Sequence, residues 1–151
     1  MKRLSISAVL ILTLVLAACS ATATPLQTDS QATSALSDSA TRVDEQGAIV
    51  IEITPLNLGE LTDTLEFDVV MNTHSIDLNM DLATLSTLTT DTGMALPATI
   101  WDAPRGGHHV EGKLIFPSRK DGNSILEGAS RLTLTIVNVD APSRVFEWEL
   151  K

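Results

Sequence analysis

The sequence predicts an all-β fold, and three observations carry that expectation. Seven or eight short segments alternate apolar and polar residues with period two, turn-forming residues separate them, and no segment sustains a period of 3.6. All of them lie C-terminal to about Gly47 in the 151-residue chain.

Taken in order, the first segment is AIVIEIT, which sets Ile49, Ile51 and Ile53 on one face. LEFDVVMNTH follows, with Leu65, Phe67, Val69 and Met71 inward and Glu66, Asp68, Asn72 and His74 outward. DLNMDL opposes Leu78, Met80 and Leu82 to Asp77, Asn79 and Asp81, which predicts another strand. TLSTLTTDTGMALPATIW reads as two short strands joined by a turn at Asp91-Thr92-Gly93. HHVEGKLIFP carries Val110, Leu114 and Phe116 on one parity, and SRLTLTIVNV carries Leu132, Leu134 and Ile136. RVFEWEL closes the series with Phe146, Trp148 and Leu150. The best helical candidate is MDLATLSTL, where Met80, Leu82, Leu85 and Leu88 suit one or two turns inside a crossover. The polar tip SRKDGNS reads as a solvated hairpin loop. Strand number and a length of about 105 residues suit an immunoglobulin-like antiparallel β-sandwich; a small barrel is the main rival.

The N-terminus is of another kind. Lys2 and Arg3 precede an uncharged, mostly apolar run from Leu4 to Ala18. That is the plan of a secretory signal peptide, and the run is shorter than the roughly 20 residues of a spanning helix. Residues 1–18 are therefore expected to be a signal peptide, 19–46 a tether and 47–151 the sandwich. The tether, SATATPLQTDSQATSALSDSATRVDEQG, is rich in Ser, Thr and Ala and poor in large apolar residues. Such composition cannot offset the entropy of ordering, so a flexible spacer holding the domain off a surface is expected.

Leu16-Ala17-Ala18-Cys19 resembles the lipobox of bacterial lipoproteins. The resemblance implies that Cys19 receives diacylglycerol, becomes the first residue after cleavage and is acylated on its new amino group. Stable anchoring needs more than one acyl chain, which such a modification supplies. Lipobox, Ser/Thr-rich spacer and a disulfide-free sandwich together resemble the small immunoglobulin-like lipoproteins of bacterial cell envelopes. EGKLIFPSRKDGNSILEGASRLTLTI is similar to a pair of strands common in them. The implied location is the cell membrane or the outer membrane, with the domain extracytoplasmic. Ser20 follows the cysteine in place of the aspartate that retains some lipoproteins at the inner membrane.

Cysteine and charge agree with that location. Cys19 is the sole cysteine, so no intrachain disulfide exists. Loss of Lys2 and Arg3 with the signal leaves 8 basic against 19 acidic residues, a net charge of −11. A chain that acidic repels nucleic acid, and its membrane attachment must come from lipid, not a basic face.

No catalytic fingerprint is present: no Gly-x-Ser-x-Gly, His-Glu-x-x-His, P-loop or Cys-x-x-Cys occurs. The chain is expected not to be an enzyme. Two candidate sites remain. The loop WDAPRGGHH gathers Trp101, Asp102, Arg105, His108 and His109 within nine residues. There Arg105 suits a carboxylate or phosphate and Trp101 suits stacking on a ligand. The competing reading makes Trp101 a core plug, pairs Asp102 with Arg105, and uses Gly106-Gly107 for a sharp turn.

The second candidate is copper. All three histidines and every methionine but Met1 lie between Met71 and His109, and imidazole with thioether suits that metal. Parity assigns Met71 and Met80 to the core, leaving His74, Met94, His108 and His109 as the possible ligands. The same parity turns His108 and His109 to opposite faces. Asp77, Asn79 and Asp81 lack the glycine and distal glutamate of a calcium loop and read as a solvated strand face. The expected function is a membrane-anchored, non-catalytic binding module for an envelope protein or small ligand. An extracytoplasmic copper-binding protein is the alternative.

Overall fold

The computed structural model describes residues 40–151. The expected signal peptide, Cys19 and most of the expected tether lie outside the described residues. Two antiparallel sheets face each other. The strands, in chain order, are β1 (Arg42–Asp44), β2 (Ile49–Pro55), β3 (Thr64–Thr73), β4 (Ser86–Thr90), β5 (Ala95–Pro97), β6 (Ile100–Asp102) and β7 (His109–Pro117). Then come β8 (Arg119–Lys120), β9 (Asn123–Ser124), β10 (Arg131–Val137) and β11 (Ser143–Glu149). One helical turn, α1 (Leu82–Leu85), precedes β4.

The first sheet runs β1-β2-β3-β7-β6 and the second β11-β10-β4-β5, with β8 and β9 forming a separate hairpin. Without the edge strand β1, these are the ABED and GFC orders of the immunoglobulin sandwich, with β5 added beside strand C. The fold is the all-β sandwich that the alternation predicts.

Its core is the set of inward parities. Ile49, Ile51, Ile53, Phe67, Val69, Met71, Leu114, Phe116, Leu132, Leu134 and Ile136 are all fully buried. Phe67 joins the layers: its ring meets Phe116 edge-on at 5.6 Å and Trp148 of the opposite sheet at 5.5 Å. The Asp121-Gly122 turn has positive φ at both residues, 52° and 85°, as a two-residue type I′ hairpin requires.

Registers fix two poles. Ala40 precedes β1, whose Arg42 opposes Ile53, so the chain enters beside the end of β2. The connections 56–63, 91–94 and 118–130 and the C-terminus share this entry pole. The turns 45–48 and 138–142 and the connections 74–81 and 103–108 form the far pole.

Three expectations need correction. DLNMDL is not a strand. Residues 76–81 form a connection, because Asp77 and Asp81 bond backbone N–H groups of Gly107 and Ala83 at 2.6 and 3.1 Å. Short acidic side chains offer the chain that alternative to a ladder. Leu78, within the connection, and Leu82, the first residue of α1, are still buried. MALPATIW is two strands, not one. Ala98 N–H donates to Ser86 in the second sheet and Thr99 N–H to Ile115 in the first, so the chain changes sheets between adjacent residues.

The third correction concerns the tether. Residues 42–44, assigned to it by composition, form β1 and pair with β2. What holds β1 is polar. Arg144 is 0% exposed, on the inward parity it shares with Phe146 and Trp148. Its Nε donates to the Val139 carbonyl at 2.9 Å, Nη1 to Asp44 Oδ1 at 2.5 Å, and Nη2 to the Gln46 carbonyl at 2.5 Å. At the other end of β1, Trp148 Nε1 donates to the Ala40 carbonyl at 2.5 Å and Arg42 lies 5.9 Å over the indole.

This clasp is pH-sensitive. Burial opposes the ionised Asp44 carboxyl, but hydrogen bonds from Gln46 and the Arg144 charge outweigh it and hold the pKa below its ordinary value. A carboxyl with a depressed folded pKa contributes stability above its unfolded value and loses it as pH falls through the folded one. Below about pH 4, the unfolded carboxylate value, the β1 amides should lose hydrogen-exchange protection before those of β3 and β7. Uniform protection down to global acid unfolding would count against the Asp44–Arg144 pair as the fastening.

Candidate functional site

Of the residues singled out by sequence, Arg105 and the three histidines lie at the far pole, whereas Trp101 and Asp102 sit within the first sheet, Trp101 level with Phe67 and Pro55. Trp101 sits in β6 opposite Leu114, half-buried against the core, so it acts as a plug and not as an open stacking platform. Asp102 is exposed at the end of β6, in register with Lys113. Arg105 does not pair with Asp102. It reaches Asp81 at 3.1 Å, an exposed ion pair. Such pairs contribute about 0–1 kcal/mol, so the guanidinium can exchange this partner for an anionic ligand.

Gly106 and Gly107 have φ of 88° and 92°, the left-handed region that only glycine enters without strain. Their turn is stitched to the neighbouring connection. Leu78 N–H donates to the Gly107 carbonyl and Gly106 N–H to the Leu78 carbonyl, each at 2.9 Å, and Asp77 accepts from Gly107. Asp77 and Asp81 therefore fasten loops to each other and are not a solvated strand face.

The histidines divide. His109 Nδ1 donates to Asn72 Oδ1 at 2.6 Å across the β3–β7 ladder, on the outer face. His108 is exposed, and its carbonyl accepts from Thr73 N–H at 3.0 Å. His74 is exposed just past the end of β3. All three share the far pole.

Met94 does not join them. It lies in the β4–β5 turn, its carbonyl accepting from Thr90 N–H at 3.0 Å, at the entry pole. β4 runs the distance between that turn and the far pole, about 17 Å at some 3.4 Å per residue. Metal–ligand bonds are about 2.0–2.3 Å. Met94 cannot share an ion with His74, His108 or His109, and the thioether of the expected copper set is lost to it. Met71 is fully buried in the core, as its parity predicts. Among the described residues, no three His, Cys, Asp or Glu side chains gather around a common point suited to a metal ion.

The polar centre that sequence reasoning missed is Arg144. The signal was present: Arg144 shares the parity of Phe146 and Trp148, which places a guanidinium inside the sandwich.

No protein-family model and no curated protein matches the chain. Among solved structures it is similar to a DUF4426 family protein from Pseudomonas aeruginosa PAO1. The two share 12% identity over 72% of this chain and 94% of that one, with a TM-score of 0.43.

Proposed function

We propose that the chain is a lipid-anchored envelope protein whose sandwich serves as a non-catalytic binding module. The reading rests above all on Leu16-Ala17-Ala18-Cys19, a lipidation signal at the end of a short apolar run. The far pole supports the second half of it. There two carboxylates fasten loops, Asp77 to Gly107 and Asp81 to Arg105. Arg105 and the exposed His108 give this pole the means to meet an anionic group on a partner.

The anchor has a direct test. In a producing cell, Cys19→Ser should abolish incorporation of labelled fatty acid, and the protein should stay unprocessed or leave the membrane fraction. Membrane retention of the processed serine variant at the level of the parent protein would sink the reading.

A further inference from the structure

The entry pole carries a surface that the sandwich itself does not use. Leu61 is 105% exposed and Leu56 43% exposed, both in the connection between β2 and β3. Beside them lies a shallow cleft of about 320 Å³ whose apolar lining is Leu58, Leu126, Ala129 and Leu150, with Glu149 and Lys151 also lining it. The connection is built to hold that shape. Asn57 Oδ1 accepts from Glu66 N–H at 2.9 Å, and Asn57 Nδ2 donates to the Thr64 carbonyl at 3.0 Å. Ser118 Oγ donates to the Thr62 carbonyl at 2.6 Å. An ordered loop thus presents a leucine to the outside, which is where an interaction surface is expected.

The position of the chain entry says what covers it. Ala40 lies at the same pole, next in register to Pro55 and Leu56, and 20 residues separate it from Cys19. Twenty residues span at most about 70 Å whatever their conformation. Whatever surface holds Cys19 is therefore within reach of Leu61, and the attachment raises the local concentration of the pole at that surface. Charge agrees. Arg119, Lys120, Arg131 and Lys151, half of the eight described cations, belong to this pole, together with 6 of the 17 described acids. Arg144 being buried, the remaining surface sets three cations against eleven acids and is much the more strongly repelled by anionic headgroups.

We propose that the entry pole rests on the bilayer that holds the Cys19 lipid, with Leu61 inserted at the interface and the far pole turned outward. This rests on the lipid-anchor reading above. Glu60 and Asp63 flank Leu61 and stay at headgroup level, limiting insertion to the leucine side chains.

The test uses the full-length lipidated protein in vesicles of phosphatidylethanolamine and phosphatidylglycerol. Mass spectrometry first establishes the acyl chains on Cys19. With that thiol blocked by lipid, Leu61→Cys or Asn79→Cys supplies one reactive thiol for a nitroxide, at the entry and far poles respectively. Both positions are exposed, so neither substitution threatens the fold. The Leu61 label should collide with oxygen in preference to a water-soluble nickel chelate, and the Asn79 label should show the reverse. A Leu61 label as accessible to the chelate as the Asn79 label overturns the docking. So does spin–spin broadening at Leu61, which would seat a second copy there. Absence of acyl chains on Cys19 is a separate result: it overturns the anchor, and the docking with it.

Discussion

Arg144→Ala is expected to cost about 3–5 kcal/mol of folding stability, the range for breaking one side of a buried ion pair. The substitution strands the Asp44 carboxylate and leaves the Val139 and Gln46 carbonyls without their donor. A domain of this size has only about 5–15 kcal/mol in total, so the loss should be plain in a urea unfolding curve. Arg144→Met keeps most of the volume and removes the charge. Paired with Asp44→Asn, it takes away both ions and should recover part of the stability, because an apolar replacement of a whole pair is often neutral. Recovery in that double variant identifies stranded charge as the origin of the loss. If Arg144→Ala costs under about 1 kcal/mol, the figure for an exposed pair, the clasp does not fasten β1 as described.

Phe67→Ala should be comparably damaging, about 3–5 kcal/mol for a fully buried phenylalanine. Its ring is the contact between layers, meeting Phe116 on its own sheet and Trp148 on the other. The cavity would open where the sheets are held together, so Trp148 should report it through a weakened near-ultraviolet circular dichroism signal. Phe67→Leu retains much of the apolar volume and should cost markedly less. Equal losses for the two variants would mean that aromatic contact, not filled volume, governs the site. The two effects lie on different elements and should nearly add.

Most of the sandwich was legible from parity, because seven of its strands bury one face and expose the other. Parity also misled where two aspartates imposed a different backbone: DLNMDL alternates, yet Asp77 and Asp81 fold it into a connection. β1 escaped notice for the opposite reason. Arg42, Val43 and Asp44 bury little apolar surface, and what holds them is Arg144, about 100 residues away in sequence. The candidate site was half legible. Arg105 and the histidines do share one pole, since the connections 74–81 and 103–108 are stitched together there, while Trp101 stays within the first sheet. Met94 does not: only 13 residues separate it from His108 in sequence, but a whole strand length does in space. Closeness in sequence is a poor guide to the pole a residue occupies in a two-layered sandwich.

The direction of β1 has a mechanical consequence. The chain enters at one pole, climbs along β2 in antiparallel register, turns at Gly47 and descends. A pull on residues N-terminal to Ala40, against a load held at the far pole, acts along the strand axis. The β1–β2 hydrogen bonds and the Arg144 grip are then loaded together in shear, and none can be peeled away ahead of the others.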